Sequence, residues 1–141
     1  MQYDLKQEGG LTLMELIIVL AVIAIIGAIL IPNFRSATDR TRLKSDIQSA
    51  RVIQSAIEIY NSEQSTPLAP ANDVRASILK TLIEKGHLSP SADKSPQTDK
   101  AVWAYGADGI VKLNISACEP KIKGEIFSTL SAEEQALITG N

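Results

Sequence analysis

Cysteine and histidine are scarce in this chain, which has one of each in 141 residues. The single Cys118 cannot close a disulfide within one chain, and His87 lacks the second ligand that a metal site needs. Positive charge is not in excess, with 14 Lys and Arg against 16 Asp and Glu, so nucleic acid is not predicted as a direct partner.

Signatures of catalysis are also missing from the sequence. It contains no Ser/His/Asp set, no glycine-rich loop for phosphate and no Cys/His cluster with metal-ligand spacing. Towards the C-terminus only Glu119 and Glu125 could serve a calcium site, which disfavours calcium. We therefore predict neither an enzyme nor a cofactor or metal site.

Apolar residues are concentrated in one run, residues 11–31, in which only Thr12 and Glu15 are polar. As a helix the run is about 31 Å long at ~1.5 Å per residue, close to the ~30 Å of a hydrocarbon core. It has no polar face, so it spans a membrane or is covered by other helices. A secretory signal peptide has a shorter apolar core followed by small residues, whereas here Gly9 and Gly10 precede the run.

Glu15 is the unusual residue of this run. An ionisable group within a membrane segment indicates function. An alternative is that Glu15 lies near enough to the helix start to reach headgroups and to favour the helix dipole. That alternative explains why the carboxylate is tolerated but not why it is there.

The helix is expected to continue to about Tyr60, with a kink or a local break at Pro32. Beyond Pro32 the apolar residues recur every three or four positions and form a core-facing stripe: Leu43, Ile47, Ala50, Ile53, Ile57 and Tyr60. The intervening positions are polar and are expected on the other side of the helix: Arg42, Lys44, Asp46, Gln48, Arg51 and Glu58.

The rest of the chain predicts a small α+β domain. A second helix should be capped by Asn72 or Asp73 and end at Gly86. Residues 101–105 and 110–115 read as two strands of a hairpin or small antiparallel sheet, in which aromatic residues pack. A short last helix is expected between residues 128 and 138, with Ser131 and Glu134 as a capping box.

The stretch from Gly10 through Leu11, Thr12 and Glu15 to Pro32 resembles the signal sequence of type IV prepilins and pseudopilins. In that family a polar leader ends in Gly, and the mature chain has Glu at its fifth position and Pro at about its twenty-second. Counted from Leu11, Glu15 is fifth and Pro32 is twenty-second. Two features depart from the pattern, since the first mature residue is usually Phe and the leader is usually basic.

The resemblance implies a cut after Gly10 by the prepilin peptidase, which also methylates the new amine of Leu11. It implies a leader of residues 1–10, a long helix of residues 11–60 and a globular domain of residues 61–141, with 11–31 serving for membrane insertion and polymerisation. Glu15 would then meet the amine of an adjacent subunit, and Pro32 would contribute to assembly. The implied partners are further copies of the chain, the peptidase, membrane lipid and an inner-membrane assembly platform.

Three functions stay open at this point. The first is a structural subunit of a type IV pilus-like filament, and the second is a pseudopilin of a type II secretion or DNA-uptake apparatus. The third is a binding module anchored by a single helix. The resemblance implies an inner-membrane precursor with an extracytoplasmic domain and later an extracellular or periplasmic filament. The basic residues after the apolar run would place the domain on the opposite side by the positive-inside rule: Arg35, Arg40, Arg42 and Lys44.

Overall fold

The computed structural model describes Gly10 and residues 12–141. Its first element is helix α1, Leu13–Glu63, which ends three residues later than predicted. Two compact units divide the chain, the first ending at Arg35 and the second spanning Ser36–Asn141. The predicted domain boundaries after residues 10 and 60 stay predictions.

Helix α1 is continuous across Pro32, so the expected local break is absent. A proline removes one main-chain donor and crowds the carbonyl four residues earlier, and a long helix tolerates such a loss through small local adjustments. The side-chain amide of Asn33 also donates, through Nδ2, to the Ile29 carbonyl at 3.4 Å, within the turn that contains Pro32.

In the second unit, α1 buries the predicted stripe. Leu43, Ile47, Ala50, Ile53 and Ile57 are each at most 4% exposed, and Tyr60 packs partly buried against them. The prediction for Asp46 was wrong, because its side chain is 1% exposed and not on a solvated face. Its hydrogen bonds to a distant loop, described below, explain why a carboxylate is buried there.

The second helical region begins with a π-helical segment, Arg75–Leu79, and continues as helix α2, Lys80–Glu84. Of the two candidate caps, Asp73 accepts the Arg75 and Ala76 amide hydrogens at 3.0 and 3.3 Å. The region ends as predicted at Gly86, which adopts φ +79°, the left-handed conformation that glycine takes without strain.

A three-stranded sheet packs in the same unit. Strands β1, Val102–Tyr105, and β2, Val111–Asn114, form the predicted antiparallel hairpin with Trp103 opposite Leu113. A third strand, β3 (Ile138–Thr139), pairs in parallel with β2, so the sheet is mixed. Trp103 and Tyr105 are buried, at 4% and 8% exposure, as core residues.

Between β2 and β3 the chain is helical twice. A π-helical segment, Ile122–Ile126, was not predicted. It is followed by helix α3, Ala132–Ala136, which lies within the range expected for the last helix. The Ser131 hydroxyl accepts the Glu134 amide hydrogen, and the Glu134 carboxylate accepts that of Ser131, so the predicted capping box is confirmed. The α+β fold class with its long N-terminal helix is therefore confirmed.

Candidate processing and assembly site

The predicted processing position lies just before α1. Gly10 is exposed and not helical, and no atom would approach a Cβ at this position within 4 Å. The predicted new N-terminus, Leu11, lies outside the described residues. The main chain becomes helical at Leu13, and the Thr12 carbonyl accepts the Leu16 amide hydrogen at 3.1 Å. Thr12 is thus the N-cap of α1.

Thr12 and Glu15 form a reciprocal pair of hydrogen bonds at this N-terminus. The Glu15 amide donates to Thr12 Oγ1 at 3.2 Å, and the Thr12 amide donates to Glu15 Oε2 at 2.9 Å. The Thr12 hydroxyl lies 3.2 Å from the same carboxylate oxygen. The arrangement is a capping box, and sequence reasoning missed it although the signal, Thr followed three residues later by Glu, is present.

The capping box changes the interpretation of Glu15. Its Oε2 accepts both Thr12 donors, whereas Oε1 makes no hydrogen bond or ion pair with any described residue. Thr12 supplies hydrogen-bond donors but no positive charge. One oxygen of Glu15 is therefore available for a cation.

The helix that follows presents apolar side chains on all sides. Leu13 is 77% exposed, and every large hydrophobic residue from there to Ile31 is at least 50% exposed. In the described chain one helix, α1, is long and apolar enough to cross a membrane, and its most apolar window has a mean hydropathy of 3.0 with 0% of it buried. Water does not tolerate such a surface, so lipid or other helices must cover it. Pro32, at the end of this segment, lies within the helix and is exposed, and its role in assembly stays a prediction.

In the second unit, one buried carboxylate holds a loop against α1. Asp46 Oδ1 accepts the Gln97 amide hydrogen and Oδ2 accepts that of Thr98, both at 2.7 Å. The Trp103 indole donates to the Asp46 carbonyl at 3.0 Å. A cleft of about 360 Å³ opens beside this contact, with Val52 and Leu88 among its lining residues.

A second polar contact fixes the β1–β2 hairpin to α1. The amide group of Gln54 donates to the Gly109 carbonyl at 2.9 Å and accepts the Val111 amide hydrogen at 2.7 Å. Gln54 thus satisfies a donor and an acceptor at the start of β2, as a paired strand would. Its contribution is structural and positions the hairpin.

Two of the four basic residues that follow the apolar run are engaged within the second unit. Lys44 Nζ lies 3.3 Å from Glu134 Oε1, and Arg40 donates to the Thr129 carbonyl at 3.1 Å. The Ser131 amide, joined by Lys44, holds the pKa of Glu134 below its usual value. These contacts give Arg40 and Lys44 a structural role besides any in membrane orientation.

Cys118 and His87 have ordinary packing roles in this fold. Cys118 is 5% exposed and its thiol donates to the Asp99 carbonyl at 3.2 Å. Burial, reinforced by the Asp99 charge, raises the pKa of Cys118. His87 Nε2 lies 3.5 Å from Glu63 Oε2, and its ring meets Tyr60 edge-on. Among the described residues, no group of three or more His, Cys, Asp or Glu side chains is placed to hold a metal ion.

Comparison with curated proteins identifies relatives of one kind. The chain is 35% identical over 67 residues to the prepilin peptidase-dependent protein A of Clostridium perfringens, covering 48% of each chain. It is 28% identical over 120 residues to the type IV major pilin protein PilE of Neisseria gonorrhoeae, covering 74% of this chain and 72% of that one. A fimbrial protein of Pseudomonas aeruginosa is 37% identical over 54 residues, covering 38% of this chain and 35% of the relative.

The match spans about half the length of the Clostridium relative. No family model matches the chain, and no solved structure matches it significantly. The relatives carry the names of structural pilin and fimbrial proteins and not of enzymes. Their names agree with the long N-terminal helix and the α+β domain described above. The chain is therefore similar to type IV pilins and fimbrial proteins.

Proposed function

We propose that the chain is a structural subunit of a type IV pilus-like filament, held in the membrane as a precursor and polymerised through its N-terminal helix. The observation that carries this proposal is the apolar half of α1, which is exposed on every side and holds one carboxylate, Glu15, at its start. Lipid covers such a surface before assembly, and the helices of neighbouring copies cover it afterwards. Burying one Leu or Ile side chain stabilises the covered state by about 1.5–3 kcal/mol.

Glu15 supplies the direction of assembly in this proposal. Cleavage after Gly10 exposes the amine of Leu11, and methylation by the peptidase preserves its positive charge. A carboxylate in a low-dielectric bundle requires a partner of opposite charge. Because Thr12 occupies only Oε2 of Glu15, Oε1 is available for the amine of the next subunit. In the precursor the same position is a neutral peptide bond, so the uncut chain should not assemble.

The proposed location follows from the same helix. The precursor is a single-pass inner-membrane protein whose domain lies on the extracytoplasmic side, and the assembled filament is extracellular or periplasmic. The positive-inside rule is less of an obstacle than the residue count suggests, because Arg40 and Lys44 make contacts within the domain. The assembly platform of the inner membrane is the proposed partner that extracts the subunit.

Substitution of Glu15 by Gln tests the proposal. The change removes the charge and keeps the side-chain shape, and a hydrogen bond to a charged group contributes about 1.5–3 kcal/mol. Filament sheared from the cells and measured by immunoblot should therefore fall at least about tenfold, while the precursor is still cut. Glu84→Gln, an exposed carboxylate on α2, is the matched control and should leave filament yield unchanged. Normal yield from Glu15→Gln would refute the role given to Glu15.

The second candidate is a pseudopilin of a secretion or DNA-uptake machine. The single cysteine, which leaves the chain without an internal disulfide, and the small hairpin domain favour it. Shearing followed by electron microscopy separates long surface pili from short periplasmic ones. Sequencing of the mature N-terminus tests both candidates, because each requires a methylated Leu11. If blocking the cut left function intact, the chain would be an anchored binding module instead.

A further inference from the structure

We propose that the hairpin tip of one subunit, the turn formed by residues 106–110, docks in the cleft beside α1 of a neighbouring subunit. The cleft is the space of about 360 Å³ next to the Asp46 contact, within the second unit of the chain. The inference rests on the proposed filament, and it specifies which surfaces of two domains meet there. The occupant of the cleft is a second copy of this chain.

The cleft combines an apolar wall with an unpaired positive charge. Val52, which is 57% exposed, and the partly buried Leu88 line it. Lys94 also lines the cleft, is exposed, and makes no ion pair with any residue that the structure describes. Asp46 is part of the lining as well, but both of its carboxylate oxygens already accept amide hydrogens of the loop. The cleft can therefore accept an apolar side chain that has a carboxylate beside it.

The hairpin tip presents these two groups together. Ile110 is 39% exposed although it is a large hydrophobic residue. Gln54 holds the tip against α1 through the Gly109 carbonyl, and the same Nε2 donates to Glu58 Oε1 at 2.8 Å. Glu58 is exposed and makes no ion pair within the part of the chain that the structure describes. An exposed apolar side chain and an unpaired carboxylate thus lie at the same end of the hairpin.

The cleft and the hairpin tip lie on opposite sides of α1. Ser45 and Ser49 line the cleft, whereas Gln54 and Glu58 lie beside the tip. Gln54 follows Ser45 by nine residues, and Glu58 follows Ser49 by the same interval, which is about 2.5 turns at ~3.6 residues per turn. A subunit therefore does not fill its own cleft with its own hairpin tip.

The opposite placement determines what the contact can build. Two different patches that meet form a heterologous contact, which generates an open helical filament when the rotation between subunits does not close a ring. For parallel copies, the tip comes level with the cleft when one copy is displaced by about 14 Å, because nine residues of helix rise ~1.5 Å each. Glu58 of one copy then lies beside Ser49 of its neighbour, at the cleft that Lys94 lines. Arg51, about two turns from Glu58, falls outside the cleft.

Cross-linking between engineered cysteines in sheared filaments tests the contact. One subunit carries Ala107→Cys in the hairpin tip and Ser95→Cys in the cleft lining, both at exposed positions. A short bis-maleimide should join each subunit to two neighbours and give a ladder of trimers and longer species on a denaturing gel. Either cysteine alone should give nothing longer than a dimer. Cys118 is 5% exposed and should not react in the folded domain.

A second cysteine pair is the matched control. It combines Ala107→Cys with Lys80→Cys, an exposed position on α2 that does not line the cleft. This pair should give no ladder under the same conditions.

Reversal of charge tests the ion pair across the contact. Like charges placed opposite each other disfavour an interface, so Lys94→Glu and Glu58→Lys should each lower the yield of sheared filament at least about fivefold. The double variant restores a pair of opposite charges and should recover to within about twofold of the wild-type yield. Lys80→Glu, at the exposed control position, should leave the yield unchanged.

Several results would overturn the docking of the tip in the cleft. They are filaments that give no ladder, an equally long ladder from the control pair, normal yield from both single charge reversals, and a double variant no better than the single ones. Each of these leaves the filament itself in place, so the proposed function would stand. If the wild-type chain formed no filament, the proposed function would fail and this contact would fail with it.

Discussion

Replacing Asp46 by alanine should lower the free energy of unfolding of the second unit by about 2–4 kcal/mol. The carboxylate is 1% exposed and accepts the amide hydrogens of Gln97 and Thr98. A buried donor left without an acceptor costs about 1–3 kcal/mol. The Thr98 amide is fully buried and should incur most of that cost, whereas the Gln97 contact is partly exposed and should add about 1 kcal/mol.

Trp103 provides the assay. It is the only tryptophan in the chain, and its indole donates to the Asp46 carbonyl, so its fluorescence reports on this contact. Urea unfolding of the full chain in a mild detergent would give the free energy. Because 1 kcal/mol shifts the Tm of a domain of about 100 residues by about 5 °C, a thermal scan should show a drop of about 10–20 °C. Asp46→Asn keeps one acceptor oxygen, so its free energy of unfolding should lie between those of the wild type and Asp46→Ala.

Asp39→Ala is the matched control. Asp39 also lies on α1, and its carboxylate makes no hydrogen bond or ion pair with a residue that the structure describes. Its replacement should change the free energy of unfolding by less than about 0.5 kcal/mol. The reasoning would be refuted if Asp46→Ala were as stable as the wild type, or if Asp39→Ala were equally destabilised.

Three further predictions concern other parts of the domain. Gly140→Ala should lower the unfolding free energy by about 1–3 kcal/mol, because φ is +77° and a Cβ would come within 2.8 Å of other atoms. Gly109→Ala, at φ +75° in open space, should lower the Tm by less in the same measurement. Equal losses of stability in the two variants would contradict this prediction. Cys118 should react with iodoacetamide at pH 8 at least tenfold faster in urea than when folded, because burial raises its pKa, and equal rates would contradict the burial. The pKa of Glu134 is lowered in the folded state, so its contribution is present above its usual value of 4.5 and is lost as the pH falls. The stability difference between wild type and Glu134→Gln, which loses the Lys44 ion pair, should therefore shrink from pH 7 to pH 3, and a constant difference would be inconsistent with it.

The features that sequence predicted correctly are those with local signals. The apolar stripe of α1 repeats every three or four residues, and its members from Leu43 to Ile57 are buried as expected. The hairpin follows from two short apolar strands around a glycine turn, and the Ser131–Glu134 capping box follows from a three-residue spacing. In each case the interacting residues are close together in the chain.

The features that sequence missed depend on distant partners or on very short elements. Asp46 accepts hydrogen bonds from main-chain amides 51 and 52 residues away. The periodicity of α1 alone therefore indicated only that this position is polar. Strand β3 is two residues long, which is too short for an alternating pattern to show. The Thr12–Glu15 box was different, because its signal was local but the charge of Glu15 had suggested an intermolecular partner.

The even distribution of apolar side chains around the first half of α1 has a consequence for packing geometry. Lipid interacts almost equally with every face of such a rod, so the bilayer cannot select its rotation about its own axis. A neighbouring copy could then approach from any azimuth with similar gain. The carboxylate of Glu15, near the N-terminus of α1, breaks this cylindrical symmetry. It gives the apolar half of the helix a preferred rotational orientation about its axis.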